Sequence, residues 1–298
     1  MSSPVEVLKM DADKVFEESL KELGKAAAKE AWDKKGKIRE IWSRVPKWLG
    51  FSKRDVATGD AVPQGGILIL GLAGSGKTTL ARLLSGEVEI YIDPPETYLS
   101  SLGIEEYTLL GEPDVEIVVP PGQENSRAAT WDDLLKDATV GRFRGLILVT
   151  AYGHESIARQ SYKDHPLYES RKDSFVQALL ERQRQDEIAL LDRLVPILQQ
   201  VPKKFWCLSV ITKQDLWWPD HAEVEKFLHD GVYREWLERL GPLRHEACSL
   251  SLVIQNWETR EHETLKPNAA GYDSAKQRES IQRLFEILDA LRRWEETP

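Results

Sequence analysis

The sequence predicts a three-layer α/β domain, a mainly parallel sheet covered by helices on both faces, and three observations carry that prediction. Short apolar runs of strand length alternate with longer stretches of helical periodicity. The first run, Ile67 to Leu70, is apolar throughout and bounded by glycines, as suits a strand buried on both faces. A glycine-rich stretch, GLAGSGKT from Gly71 to Thr78, then stands between that run and the helical TLARLLSG.

Further strands are predicted at Val88 to Ile92, Val115 to Val119, Gly145 to Thr150, Trp206 to Thr212 and Ala247 to Ile254. The longest helical pattern runs from Ser174 to about Gln200, and another from Ser274 to Trp294 closes the domain. The main domain is placed at residues 61–298, with an insertion around 152–195 that opens on the polar GHESIARQSYKDHPLYESRKD. Within the insertion, His154 and His165 have no partners at metal-ligand spacing, so structural or surface roles are expected of them.

Residues 1–60 are read as an N-terminal amphipathic helical extension. Between Ala12 and Leu49, Val15, Phe16, Leu20, Leu23, Ala27, Trp32, Ile38, Ile41, Trp42 and Val45 recur at helical spacing, with a break expected at Gly36 and a stop at Pro46. Lys25 to Arg54 is rich in lysine and arginine. Three readings stay open for it: a solvated face of a helix packed on the main domain, a contact to a membrane surface, or a contact to a partner protein.

The 298 residues carry a formal net charge of -9, which argues against a nucleic-acid partner bound through general phosphate neutralisation. No run approaches the roughly 20 apolar residues of a membrane span, and MSSPVEVLKMDADK has no hydrophobic signal region. Cys207 and Cys248 match no metal spacing and are read as core residues rather than a disulfide. A cytoplasmic protein, peripheral to a membrane if the basic extension binds one, is the resulting expectation.

The chemistry begins with GLAGSGKT, which matches G-x-x-x-x-G-K-[ST] in full and in the required strand-to-helix setting. Gly71, Gly74 and Gly76 let the backbone around Ser75 curl so that amide hydrogens point inward, and the helix that follows adds its positive end. Lys77 is placed on the β- and γ-phosphates and Thr78 on Mg²⁺, while Thr79 contacts an α-phosphate or caps the turn. This is the signature of the P-loop NTPase fold, and by itself it says only that a nucleotide binds.

TKQD, Thr212 to Asp215, follows the Trp206 strand. A carboxylate at Asp215 can accept both hydrogens of guanine's Watson–Crick edge, which adenine does not offer; Lys213 can lie along the base, and the Thr212 hydroxyl can tether the loop. On these motifs the chain resembles the Ras/Arf-like small GTPase superfamily, whose guanine motif is N/T-K-x-D; TKQDL, Thr212 to Leu216, is Arf-like in its extended form.

The resemblance assigns VPPGQE, Val119 to Glu124, to the family's D-x-x-G-Q-E segment. It implies that the Gly122 amide meets the γ-phosphate and that Gln123 orients the attacking water. Val119 stands where the family has a magnesium-organising aspartate, and Asp93 and Glu96 are the carboxylates near enough in sequence to substitute. Thr97, 19 residues after Thr78 and 22 before Val119, is the candidate that closes over Mg²⁺ and the γ-phosphate, with Thr108 as its alternative. Arg127 and Arg142 are read as solvated charges rather than as a catalytic arginine. Two candidates remain open for the last guanine-contacting loop: Ser274-Ala275-Lys276, which otherwise reads as a helix start capped by Ser274, and Gln255-Asn256. Trp217 and Trp218 either shield the base or pack in the core.

The resemblance implies a GTP-binding switch that hydrolyses GTP to GDP and phosphate slowly or with the help of a protein activator or effector, with Mg²⁺ as cofactor. A pseudo-GTPase that binds nucleotide without turnover and serves as an interaction scaffold is the alternative. An ATPase or kinase in which TKQD is accidental comes third.

Overall fold

The computed structural model describes residues 65–87, 103–122, 124–156, 163, 165, 167–168, 174–240, 243–259 and 263–296, with backbone alone at 124–129, 229–230 and 232. The chain divides into two units, Met1–Ser52 and Lys53–Pro298, and the described residues all belong to the second. The N-terminal extension, the strand predicted at Val88 to Ile92, Asp93, Glu96, Thr97 and Gln123 lie outside the described residues, as does the side chain of Arg127.

Among the described residues, six strands form one sheet in the order β2-β3-β1-β4-β5-β6. They are β1 (Gly66–Gly71), β2 (Glu105–Thr108), β3 (Glu116–Val119), β4 (Phe143–Thr150), β5 (Trp206–Ile211) and β6 (Arg244–Ser249). The edge strand β2 runs antiparallel to β3, and β3, β1, β4, β5 and β6 are parallel. β1 and β5 are buried at every position, because helices cover both faces of the sheet. The covering helices are α1 (Lys77–Ser85), α2 (Glu124–Thr139), α3 (Phe175–Leu198), the one-turn α4 (Gln214–Trp217), α5 (His221–Asp230), α6 (Val232–Arg239) and α7 (Ser274–Glu296). This is the predicted mixed α/β fold with a mainly parallel sheet. No helix among the described residues is long and apolar enough to cross a membrane.

The main core lies on the α2, α3, α5 and α6 side of the sheet, where Leu68, Leu70, Leu146 and Leu148 pack against Trp131, Leu190, Leu194 and Trp236. A smaller core joins Phe175, Leu179 and Leu180 of α3 to Leu216 and to Trp257, which opens the hairpin β7 (Trp257–Glu258) and β8 (Thr264–Lys266). That second core covers the segment following β4. Cys207 and Cys248 are both buried free thiols, as expected.

One predicted strand is corrected. The apolar run placed at Ala247 to Ile254 pairs only as far as Ser249, and β6 begins earlier, at Arg244. Leu250, Ser251 and Leu252 are buried without belonging to the sheet, because the chain folds there over the end of β5. Burial in a loop and burial in a strand give the same apolar signature.

Candidate nucleotide site

In a parallel sheet all carboxyl ends share one edge, and the loops leaving them converge there. Here those loops are residues 72–76 after β1, 120–122 after β3, 151–156 after β4, 212–215 after β5 and 250–256 after β6. β1 and β4 are the neighbours whose onward connections leave in opposite directions, so a crevice opens between them.

The phosphate loop is held from three sides. Lys77, only 7% exposed, donates from Nζ to the Leu72 carbonyl at 2.9 Å, which aims the ammonium back across the loop. Ser156 N donates to the Gly74 carbonyl at 3.3 Å, and Gly74 sits at φ 77° with a Cβ position only 2.5 Å from Ser156 N. Only glycine meets both demands. The Thr212 hydroxyl donates to the Ser75 carbonyl at 2.6 Å and lies 3.0 Å from the Thr150 carbonyl. Thr78 and Thr79 occupy the first turn of α1, directly after Gly76, where backbone amides and the helix end favour an anion.

From the β3 side, Pro120, Pro121 and Gly122 are buried against this loop. The Trp131 indole of α2 donates to the Pro121 carbonyl at 3.0 Å and fixes the segment. A Cβ at Gly122 would fall 2.7 Å from Ala73 N, so any other residue would push the segment off the phosphate loop. Val119 is 0% exposed and contributes no oxygen to the site.

The TKQD motif is assembled at the end of β5. Lys213 has φ 59° and ψ 37°, and with Tyr152, φ 51°, it is one of two non-glycine residues with positive φ among the described residues. Such backbone strain costs on the order of 1–3 kcal/mol and persists where surrounding contacts over-determine it. The Lys213 ammonium donates to the His154 carbonyl and, at 3.1 Å, to Ser156 Oγ. Burial pushes its pKa down to about 8 against the opposing pull of Glu155, Asp215 and Glu187.

Asp215 is 1% exposed. Ser251 donates its hydroxyl to one carboxylate oxygen, and the Gln255 amide donates to the other at 3.0 Å. Burial raises the Asp215 pKa and these two donors lower it. The loop after β6 therefore brings Gln255 to Asp215 of TKQD. Asn256 turns away, accepting from Asn268 N at 3.1 Å. Ser251 carries no signal in the sequence beyond a hydroxyl inside an apolar run.

Ser274-Ala275-Lys276 does not reach Asp215. It begins α7, and the cap there is Asp273 rather than Ser274: Asp273 Oδ1 accepts from Ala275 N and Lys276 N, each at 3.0 Å. The Lys276 ammonium lies 5.8 Å from the centre of the Trp218 ring. Thr108 ends β2 opposite Glu116, the first residue of β3, and so sits at the edge of the sheet away from the phosphate loop. Arg142 precedes β4 at that same far edge and pairs with Asp137 at 2.7 Å, as a solvated charge. Trp217 is a core residue, 1% exposed, donating to the Thr212 carbonyl at 2.9 Å. His154 is fully buried, and burial followed by the nearby Lys266 and Lys213 charges lowers its pKa to about 3. No group of three or more His, Cys, Asp or Glu side chains placed to hold a metal occurs among the described residues.

No protein-family profile matches the chain, and no curated protein matches it. Among solved structures, that of the mammalian SRP receptor is similar at 18% identity over 76% of this chain and 99% of the other, with a TM-score of 0.39. A bacterial selenocysteine-specific elongation factor, EF-Sec, is similar at 18% identity over 76% of this chain, with a TM-score of 0.37; the match spans 29% of that protein's length.

Proposed function

We propose that this protein is a guanine-nucleotide-binding switch that hydrolyses GTP slowly or with a partner's help. The observation that carries the reading is the bond from the Thr212 hydroxyl to the Ser75 carbonyl, which joins the guanine motif to the phosphate loop. With Asp215 held by Ser251 and Gln255, a carboxylate for the base and a cradle for phosphates occupy one sheet edge. Gly71, Gly74, Ser75, Gly76, Lys77, Thr78 and Thr79 would hold the phosphates. Gly122 would present its amide to the γ-phosphate, and Thr212, Lys213 and Asp215 would select guanine.

The donor set fits a phosphate-bound Mg²⁺ in part. Thr78 supplies a hydroxyl at the start of α1, whereas Val119 closes the β3 side with an apolar side chain. Thr78 would hold the ion, with Thr97 proposed as its second protein ligand. When bound, the ion would neutralise charge developing between the β- and γ-phosphates. Lys77 would share that neutralisation, and Gln123 would orient water. With Val119 in place of a carboxylate, positioning of the ion would fall to fewer groups, which would slow turnover.

The same valine favours a second reading, a scaffold that binds GTP without consuming it. Turnover of GTP by the full chain with Mg²⁺, beside Gln123→Ala and an ATP control, separates the two. Phosphate release that falls in the variant supports the switch. Tight GTP binding without release supports the scaffold, and preference for ATP sinks both.

A further inference from the structure

TKQD is gripped from a second side, by a stretch that belongs to none of the roles above. Between the β7–β8 hairpin and α7 the chain returns to the motif. Ala269 N donates to the Asp215 carbonyl at 2.7 Å, and the buried Tyr272 hydroxyl donates to Gln214 Oε1 at 3.2 Å. Gln214 is the variable position of T-K-x-D, and its side chain is used inside the protein: Nε2 donates to Ser249 Oγ, at the end of β6, at 3.0 Å. Its backbone amide donates to the Leu250 carbonyl at 3.3 Å. One residue of the motif thus joins β6, the loop that follows it and the approach to α7.

In the first turn of α7, the buried Gln277 donates from Nε2 to the Leu252 carbonyl at 3.1 Å. Leu252 follows Ser251, the donor to Asp215. Tyr272 therefore holds the motif that carries Asp215, and Gln277 holds the loop that meets it. Backbone strain gives this grip a task. Lys213 sits at φ 59°, where a side chain costs free energy, so the backbone relaxes there unless its neighbours are fixed. Thr212 is fixed by its bonds to the Ser75 and Thr150 carbonyls. On the other side the fixed points are Gln214 and Asp215. A relaxed Lys213 would rotate the next peptide and carry the Asp215 carboxylate away from Ser251 and Gln255.

We infer that Tyr272 and Gln277 are positioning residues of the guanine site, a clamp that sets Asp215 against the loop after β6 before any base arrives. They act through Gln214 and Leu252 rather than on the nucleotide. The effect of the clamp on affinity rests on the guanine-binding reading proposed above, whereas its effect on the place of Asp215 does not. Preorganisation of this kind strengthens binding because the carboxylate need not be ordered when the ligand enters.

The test has two arms on the full chain and uses two near-isosteric variants, Tyr272→Phe, which deletes a hydroxyl, and Gln277→Met, which deletes the amide donor. In the first arm, hydrogen exchange at the Gln255 amide is followed by NMR without nucleotide. That amide donates to Asp215 Oδ2 at 3.0 Å, so its protection reports the place of the carboxylate. Each variant speeds its exchange about tenfold, while the amides of β1 keep the wild-type rate. An unchanged rate at Gln255 in either variant, or an equal rise across β1, overturns the inference.

In the second arm the affinities for GDP and inosine diphosphate are compared. Inosine lacks the 2-amino group, so it offers Asp215 one hydrogen where guanine offers two. Tyr272→Phe weakens GDP about fivefold and inosine diphosphate about twofold, so the ratio of the two affinities falls. Equal losses would mean that the phosphate loop or the whole fold has loosened, and the positioning role would be wrong. In a Gln214→Met background Tyr272→Phe adds no further loss; a full loss there would show that Tyr272 does not act through Gln214 and would overturn the inference too. If the wild-type chain binds no GDP, the guanine reading fails while exchange at Gln255 still judges the clamp.

Discussion

Asp215 concentrates the selectivity expected of this site in one carboxylate, already aimed by Ser251 and Gln255. Hydrogen bonds to a charged group are worth about 1.5–3 kcal/mol each, so losing the two to guanine in Asp215→Ala should weaken GTP roughly 100-fold or more, with ATP binding unchanged. Equilibrium binding of both nucleotides checks this. His154 makes a prediction of a different kind. Its folded-state pKa, about 3, lies below the unfolded value of 6.5, so the unfolded chain binds the extra proton first. Stability is therefore lost as pH falls from about 6.5 toward 3, by up to about 1.4 kcal/mol per unit for this group. Urea unfolding across that range should show the slope, and His154→Gln should reduce it. Glu187 acts in the opposite sense: its raised pKa gives stability that is lost as pH rises above the ordinary carboxylate range.

At the scale of elements, the loop after β4 is what ties the site together, and its burial comes from neighbours distant in sequence. Ser156 meets the phosphate loop, His154 and Ser156 meet Lys213, and Trp257 of the β7–β8 hairpin closes over Glu155. Trp257 packs with Phe175, Leu179 and Leu216 and also lies edge-on to His154, ring centres 5.3 Å apart. Trp257→Phe, which removes the indole donor and part of the ring, should cost less than Trp257→Ala, which should cost roughly 3–5 kcal/mol by emptying the small core. Denaturant unfolding measures both. Hydrogen exchange at the amides of His154 and Ser156 should quicken in the alanine variant before exchange in β1 changes, because the hairpin braces the loop and not the sheet.

For the whole molecule, a ligand that binds only the folded state stabilises it in proportion to its occupancy. GDP at 100 times its dissociation constant should add about 2.7 kcal/mol, seen as a raised melting temperature, and ATP at the same concentration should add nothing. Equal shifts with both nucleotides would mean that the phosphate loop binds while TKQD does not select.

The sequence by itself determined β1, β3, β4 and β5, the long helices α3 and α7 and the phosphate loop, because these are written in contiguous residues, whereas the edge strand β2 and the β7–β8 hairpin have no such apolar run. Strand burial repeats along a run such as GILILG, and GLAGSGKT needs its glycines, lysine and threonine at fixed local spacing. It also carried TKQD and Val119, which is buried. Only the tertiary structure decided which distant residues complete the site. Asp215 is met by Ser251 and Gln255 rather than by Ser274 to Lys276, because the apolar run after β6 leaves the sheet and folds over β5. Nothing local in the sequence marks Glu155 and Glu187 for the interior, yet both are buried. A periodic pattern records which side of an element faces the core, but the identity of the partner across that core depends on chain segments that no local spacing encodes.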